Sequence, residues 1–162
     1  MKTMKMSIIA ILAAACLLIF SAVSFASPPD WNQGTTDQRI RTLSDLQPGL
    51  GTVMIEYGNR FSAAYYAAKG GNWGMAAYQL KEAGEIQEVG EATRPAHSPA
   101  LKSFEHSYLD NLNATVKAKD FKQFKAAFNQ TIEGCNGCHA ASGHAYIKYQ
   151  LPKRSPSPTS VK

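Results

Sequence analysis

From Gly49 to Tyr149 apolar side chains recur at three- and four-residue steps, and no segment shows the alternation of β-branched residues that marks a strand. The first stripe holds Leu50, Val53, Met54, Tyr57, Phe61, Ala64, Tyr65 and Ala68, and Gly70-Gly71 closes it, since glycine readily adopts the left-handed conformation that ends a helix. Asn72 is placed to cap the second, which carries Trp73, Ala76, Ala77, Leu80, Ala83 and Ile86 and stops before Pro95. Ser98-Pro99 reads as an N-cap followed by proline at the first helical position, opening a third stripe of Leu101, Phe104, Tyr108, Leu112 and Thr115 or Val116. Asp120 is placed to cap the fourth, in which Phe121, Phe124, Phe128, Ile132, Cys135 and His139 share one side. The spacing predicts an all-α fold over residues 44–149, an antiparallel up-down four-helix bundle.

The flanks of this region are different in kind. Lys2 and Lys5 precede an apolar run from Ile8 to Phe20, and Ser24-Phe25-Ala26 has the small residues of a cleavage site, so residues 1–26 read as a secretory signal peptide. The run is short for a membrane span and nothing later approaches one, so no integral membrane association is expected. Residues 27–43 look like a loose lead-in rich in Pro, Gly and Thr, and residues 150–162 like a disordered basic, proline-rich tail. The formal net charge of +5 is a mild basic excess, too weak to indicate nucleic acid. Lys117, Lys119, Lys122 and Lys125 nevertheless cluster ahead of the cysteines, as a solvated face or as a docking surface beside the site.

Of three cysteines, Cys16 falls in the signal, which leaves Cys135 and Cys138 in the sequence Cys135-Asn136-Gly137-Cys138-His139. Two thiols so close together cannot staple distant parts of a fold, so they serve local chemistry. A zinc site needs four ligands, and His97, His106 and His144 are each isolated. A thiol–disulfide exchanger places its pair at a helix start after a strand, whereas this pair ends a helical pattern. Covalent haem fits each piece. The two thiols are spaced for the two vinyl groups on one porphyrin edge, and the following histidine lies beneath the iron. At ~100° per residue Cys135, Cys138 and His139 face one way, along the stripe that includes Phe128.

A single motif of this kind near the end of a four-helix chain resembles the class II c-type cytochromes, which comprise cytochrome c′ and its low-spin relatives. The likeness covers roughly residues 44–149 and rests on the Cys135–His139 motif and its late position. It implies one covalent haem c per chain, bonded through Cys135 and Cys138, with His139 as proximal iron ligand. In low-spin members a methionine of the first helix is the sixth ligand. The matching stretch, "PGLGTVMIEYGNRF", puts Met54 in that role, where the residues alone read it as core filling. Tyr57, Phe61 and Phe128 are then the side chains expected to pack on the ring. The family implies an exported, periplasmic bacterial electron carrier exchanging one electron with redox partner proteins, with a homodimer as the oligomer to look for. The alternative within the class is a five-coordinate, gas-binding or gas-detoxifying cytochrome c′. The "HAASGHAYI" stretch lacks the aromatic–basic pair that comes after the histidine in many cytochromes c′, and the tail is longer than is usual for the class.

Overall fold

The computed structural model describes residues 30–155; residues 1–26, read from sequence as a signal peptide, residues 27–29 of the expected lead-in and residues 156–162 of the expected tail lie outside the described residues. The chain divides into two compact units, residues 1–45 and 46–162. In the first, α1 spans Thr36–Asp45 and buries none of its side chains. A helix here departs from the expected loose lead-in. Its start is a reciprocal cap: the Thr35 N–H donates to the Gln38 side-chain oxygen (2.8 Å) and the Gln38 N–H to the Thr35 hydroxyl (3.3 Å).

Among the described residues the second unit is helical apart from its turns and residues 144–155. It contains α2 (Leu50–Lys69), α3 (Trp73–Thr93), α4 (residues 98–118) and α5 (Phe121–Ala141). No helix among the described residues is long and apolar enough to cross a membrane. On α2, Val53, Tyr57, Phe61, Ala64 and Ala68 are buried in steps of three and four, as the stripe predicts. The helix ends in a Schellman motif. Gly71, at φ +80°, donates to the Ala68 carbonyl, and Asn72 to that of Ala67. The Asn72 side chain then accepts from the Met75 N–H at 3.0 Å and starts α3. Small residues let these two helices approach closely: a β-carbon on Gly90 would lie 3.0 Å from Leu50 and 3.1 Å from Val53. Buried Gln87 joins α3 to α4 by donating to the Leu101 carbonyl (3.2 Å).

Helix α4 differs from its expected form. A short tight turn, Pro95–His97, precedes it, so Ser98 lies inside the first turn and its side chain makes no cap. At Glu105–Leu109 the helix widens, the Asp110 N–H reaching back five residues to the Glu105 carbonyl. The extra residue rotates the later turns about the helix axis. Leu109 is buried, while Phe104 and Tyr108, expected in the core stripe, are half-buried.

Helix α5 starts as expected at Asp120, whose carboxylate accepts from the Gln123 N–H (3.0 Å) and the Gln123 side-chain amide (2.9 Å). Phe124 and Phe128 are fully buried. Down α2 and up α5 the rings meet in order, Tyr65 with Phe121 and Phe124, then Phe61 on Phe128 at 4.1 Å between centroids and 8° between planes. Burying each such ring is worth about 1.5–3 kcal/mol. Beyond α5, Tyr149 and Leu151 pack partly buried on this core, and the Tyr66 hydroxyl donates to the Pro152 carbonyl. Residues 150–152 are therefore held against the bundle, unlike the disordered segment expected from residue 150.

Candidate functional site

The last two turns of α5 carry Cys135, Cys138 and His139, with Gly134 buried and the three motif residues half-buried. Both thiols are free. Gly134 is there because Tyr108 of α4 lies over it. A β-carbon at that position would come within 2.6 Å of the Tyr108 ring. Phe104 stacks beside Tyr108 (5.2 Å) and meets Tyr57 edge-on (6.4 Å). The widened turn of α4 thus presents two aromatic rings at the level where the cysteines begin. At Gly137, by contrast, a β-carbon would meet nothing within 4 Å.

The electrostatics of Cys135 bear on its chemistry. Burial, followed by the neighbouring Cys138 thiol, pushes its pKa up to about 12. A thiol held neutral at the C-terminal end of a helix, where the dipole opposes negative charge, is a poor disulfide-exchange nucleophile. Nor do Cys135, Cys138 and His139 converge as metal ligands. Among the described residues no three His, Cys, Asp or Glu side chains form a group able to hold a metal ion between them.

Tyr57 is buried against Cys135. Burial first, then the proximity of Cys135, Tyr149 and Glu105, holds its phenol well above the ordinary range. Its hydroxyl has no hydrogen-bond partner among the described residues. Phe61 and Phe128 are brought together in the core, with the Tyr149 ring edge-on to Phe61 at 5.6 Å. Met54 is half-buried on α2, one turn before Gly58 and on the same flank. Arg60, a candidate for an anionic group of a bound cofactor, turns instead to Glu56 (2.7 Å) and Gln79 (3.4 Å). His106 is exposed beside Asp110, and His144 Nδ1 lies 2.8 Å from the Ser142 carbonyl.

The end of α5 repeats the device that ends α2. Gly143, at φ +81°, donates to the Ala140 carbonyl and His144 to that of His139, another Schellman motif. It reverses the chain so that the Ile147 carbonyl lies 3.1 Å from His139 Nδ1. A carbonyl only accepts, so the proton in this bond sits on Nδ1 and the Nε2 lone pair is left for another partner. Two residues on, the Tyr149 backbone is gripped by the Asn136 side chain, N–H to Oδ1 at 2.8 Å and Nδ2 to the carbonyl at 3.3 Å. The Tyr149 hydroxyl donates to the Gly58 carbonyl (3.3 Å), its ring passing where Gly58 has no side chain. These contacts were missed from sequence. The signal for them is the pair Tyr149 and Leu151, two residues apart ahead of Pro152, the spacing of an extended segment with one face on a surface; Ile147, two residues earlier, is exposed and contributes its carbonyl alone.

No family model matches the chain, and neither a curated protein nor a solved structure matches it significantly.

Proposed function

We propose that this chain is an exported, periplasmic mono-haem c-type cytochrome that passes one electron between redox partner proteins, built as an antiparallel up-down four-helix bundle of the class II kind. One observation carries the reading. Two thiols one turn apart and an imidazole lie together at the end of α5, and that imidazole spends Nδ1 on a backbone carbonyl, which leaves Nε2 as the nitrogen that would meet a metal. The residues fit the group. Cys135 and Cys138 would hold the group through their two sulfurs, and His139 would hold its iron through the free ring nitrogen. The open side of Gly137 gives room for close approach, and the orphaned Tyr57 hydroxyl is a polar atom awaiting a partner beside Cys135.

Bound there, haem supplies an iron that alternates between two oxidation states one electron apart. The chain's own part is to hold and insulate it. Half-buried Phe104 and Tyr108, with Tyr57 beside them, would give the group an apolar wall near the motif that excludes water, while Phe61 and Phe128, stacked on each other and fully enclosed, back that wall from within the core. Met54 is the proposed sixth ligand, on the flank of α2 that it shares with Gly58. Its thioether would hold the iron and so compete with a gas.

The test is expression of the exported chain with a working haem-maturation system. A colour that survives acid–acetone extraction, with a haem's mass added to the polypeptide, is the expected result; a polypeptide of bare mass overturns the reading. Carbon monoxide added to the reduced protein then reads the sixth position. Little binding to the wild type and ready binding to Met54→Ala are expected, whereas identical spectra exclude Met54.

A further inference from the structure

The segment from Ser142 to Pro152 makes more directed contacts than a tail needs. Its backbone is tied to α5 at Asn136, its ring at Tyr149 is seated on Gly58 and Phe61 of α2, and its Pro152 carbonyl accepts from Tyr66. Between the Schellman turn at Gly143 and the Asn136 grip, the Ile147 carbonyl has little freedom, and it faces His139 Nδ1. We propose that this segment is a strap that orients the iron ligand, with Asn136 as its positioning residue. Asn136 makes its two hydrogen bonds to the Tyr149 backbone, not to the imidazole. It fixes Tyr149, Tyr149 fixes Ile147, and the Ile147 carbonyl fixes the ring plane and proton of His139. The side chain between the two cysteines is thus assigned a task specific to this chain.

The proposal rests on the cytochrome reading for its purpose, not for its geometry. A carbonyl accepting from Nδ1–H makes the imidazole a stronger electron donor, which favours the oxidised metal. Releasing the strap therefore raises the reduction potential.

Two measurements on the full chain test this, one without haem and one with it. In the chain made without maturation, ring nitrogen resonances of His139 are expected to show the Nδ1–H form in the wild type and its loss in Asn136→Ala. In the matured chain, Asn136→Ala is expected to shift the ratio of oxidised to reduced protein at fixed ambient potential by about tenfold towards reduced, which is ~59 mV for one electron. Asn136→Asp keeps an acceptor for the Tyr149 N–H and is expected to fall between. Gly58→Ala, which crowds the Tyr149 ring at 3.2 Å, loosens the strap from its other anchor and serves if Asn136→Ala does not fold. A folded Asn136→Ala or Gly58→Ala with the wild-type ring form and unchanged potential overturns the proposal. If the wild type carries no thioether-bonded haem, the functional reading fails on its own, and the resonances without haem still decide the strap.

Discussion

The Tyr57 hydroxyl is buried beside Cys135 and unpartnered among the described residues, an arrangement that costs about 1–3 kcal/mol in an apolar surrounding. Tyr57→Phe removes the orphaned group and keeps the ring against Phe61 and Phe104. In the chain without haem it is expected to raise unfolding free energy by about 1 kcal/mol, read as a higher urea midpoint at unchanged slope. Phe61 behaves oppositely. Stacked on Phe128 and fully enclosed, it leaves a cavity when truncated, and Phe61→Ala is expected to lose about 3–5 kcal/mol by the same measurement. At this scale the sequence was legible where a residue type is itself rare and reactive. Cys135, Cys138 and His139 announce themselves. Asn136 does not, because an amide between two cysteines has many uses and its partner lies thirteen residues away in a segment without helical period.

The helices of the second unit were readable because period and caps agree, Asn72 and Asp120 both capping as their positions suggest. Two departures have physical causes. The short α1 hides in a stretch whose Pro, Gly and Thr content argues for a loop, and only the Thr35–Gln38 cap betrays it. The widened turn of α4 is hidden because Leu101, Phe104, Tyr108 and Leu112 keep perfect α-helical steps. Within that turn the Tyr108 ring lies against Gly134 of α5, a tertiary contact that no local pattern encodes. Element ends also carry the clearest backbone tests. Lys119 stands at φ 54°, in the left-handed region, at the α4–α5 turn. Lys119→Gly relieves that strain, less the extra freedom gained by the unfolded chain, and is expected to stabilise by about 0.5–1 kcal/mol. Gly143→Ala asks the reverse of a residue at φ +81° and is expected to destabilise by about 1 kcal/mol. Because that turn launches the strap, it also loosens His139, so the ring resonance shifts along with the urea midpoint.

For the molecule as a whole, the distribution of charge bears on where a redox partner of the proposed carrier would dock. In sequence, Lys117, Lys119, Lys122 and Lys125 run up to the cysteine motif and suggest a basic surface beside it. The fold separates them. All four are exposed around the start of α5, whereas the motif is at its end. The thirteen residues from Lys122 to Cys135 span about 20 Å at 1.5 Å per residue. At physiological ionic strength the screening length is about 8 Å, so exposed charges at that distance have little effect on an ion reacting near Cys138. Under the proposed function the lysines are therefore a solvated corner, not a guide for electron exchange at the motif. Lys122→Gln with Lys125→Gln is expected to leave the rate of oxidation by a small anionic reagent unchanged within about twofold at 0.15 M salt, as stopped-flow absorbance of the matured protein would show. At low salt, where the screening length grows to about 30 Å at 0.01 M, the same pair should slow the reaction. A large effect at high salt would mean that electrons leave near the beginning of α5, and would move the exchange site away from the motif end of the helix.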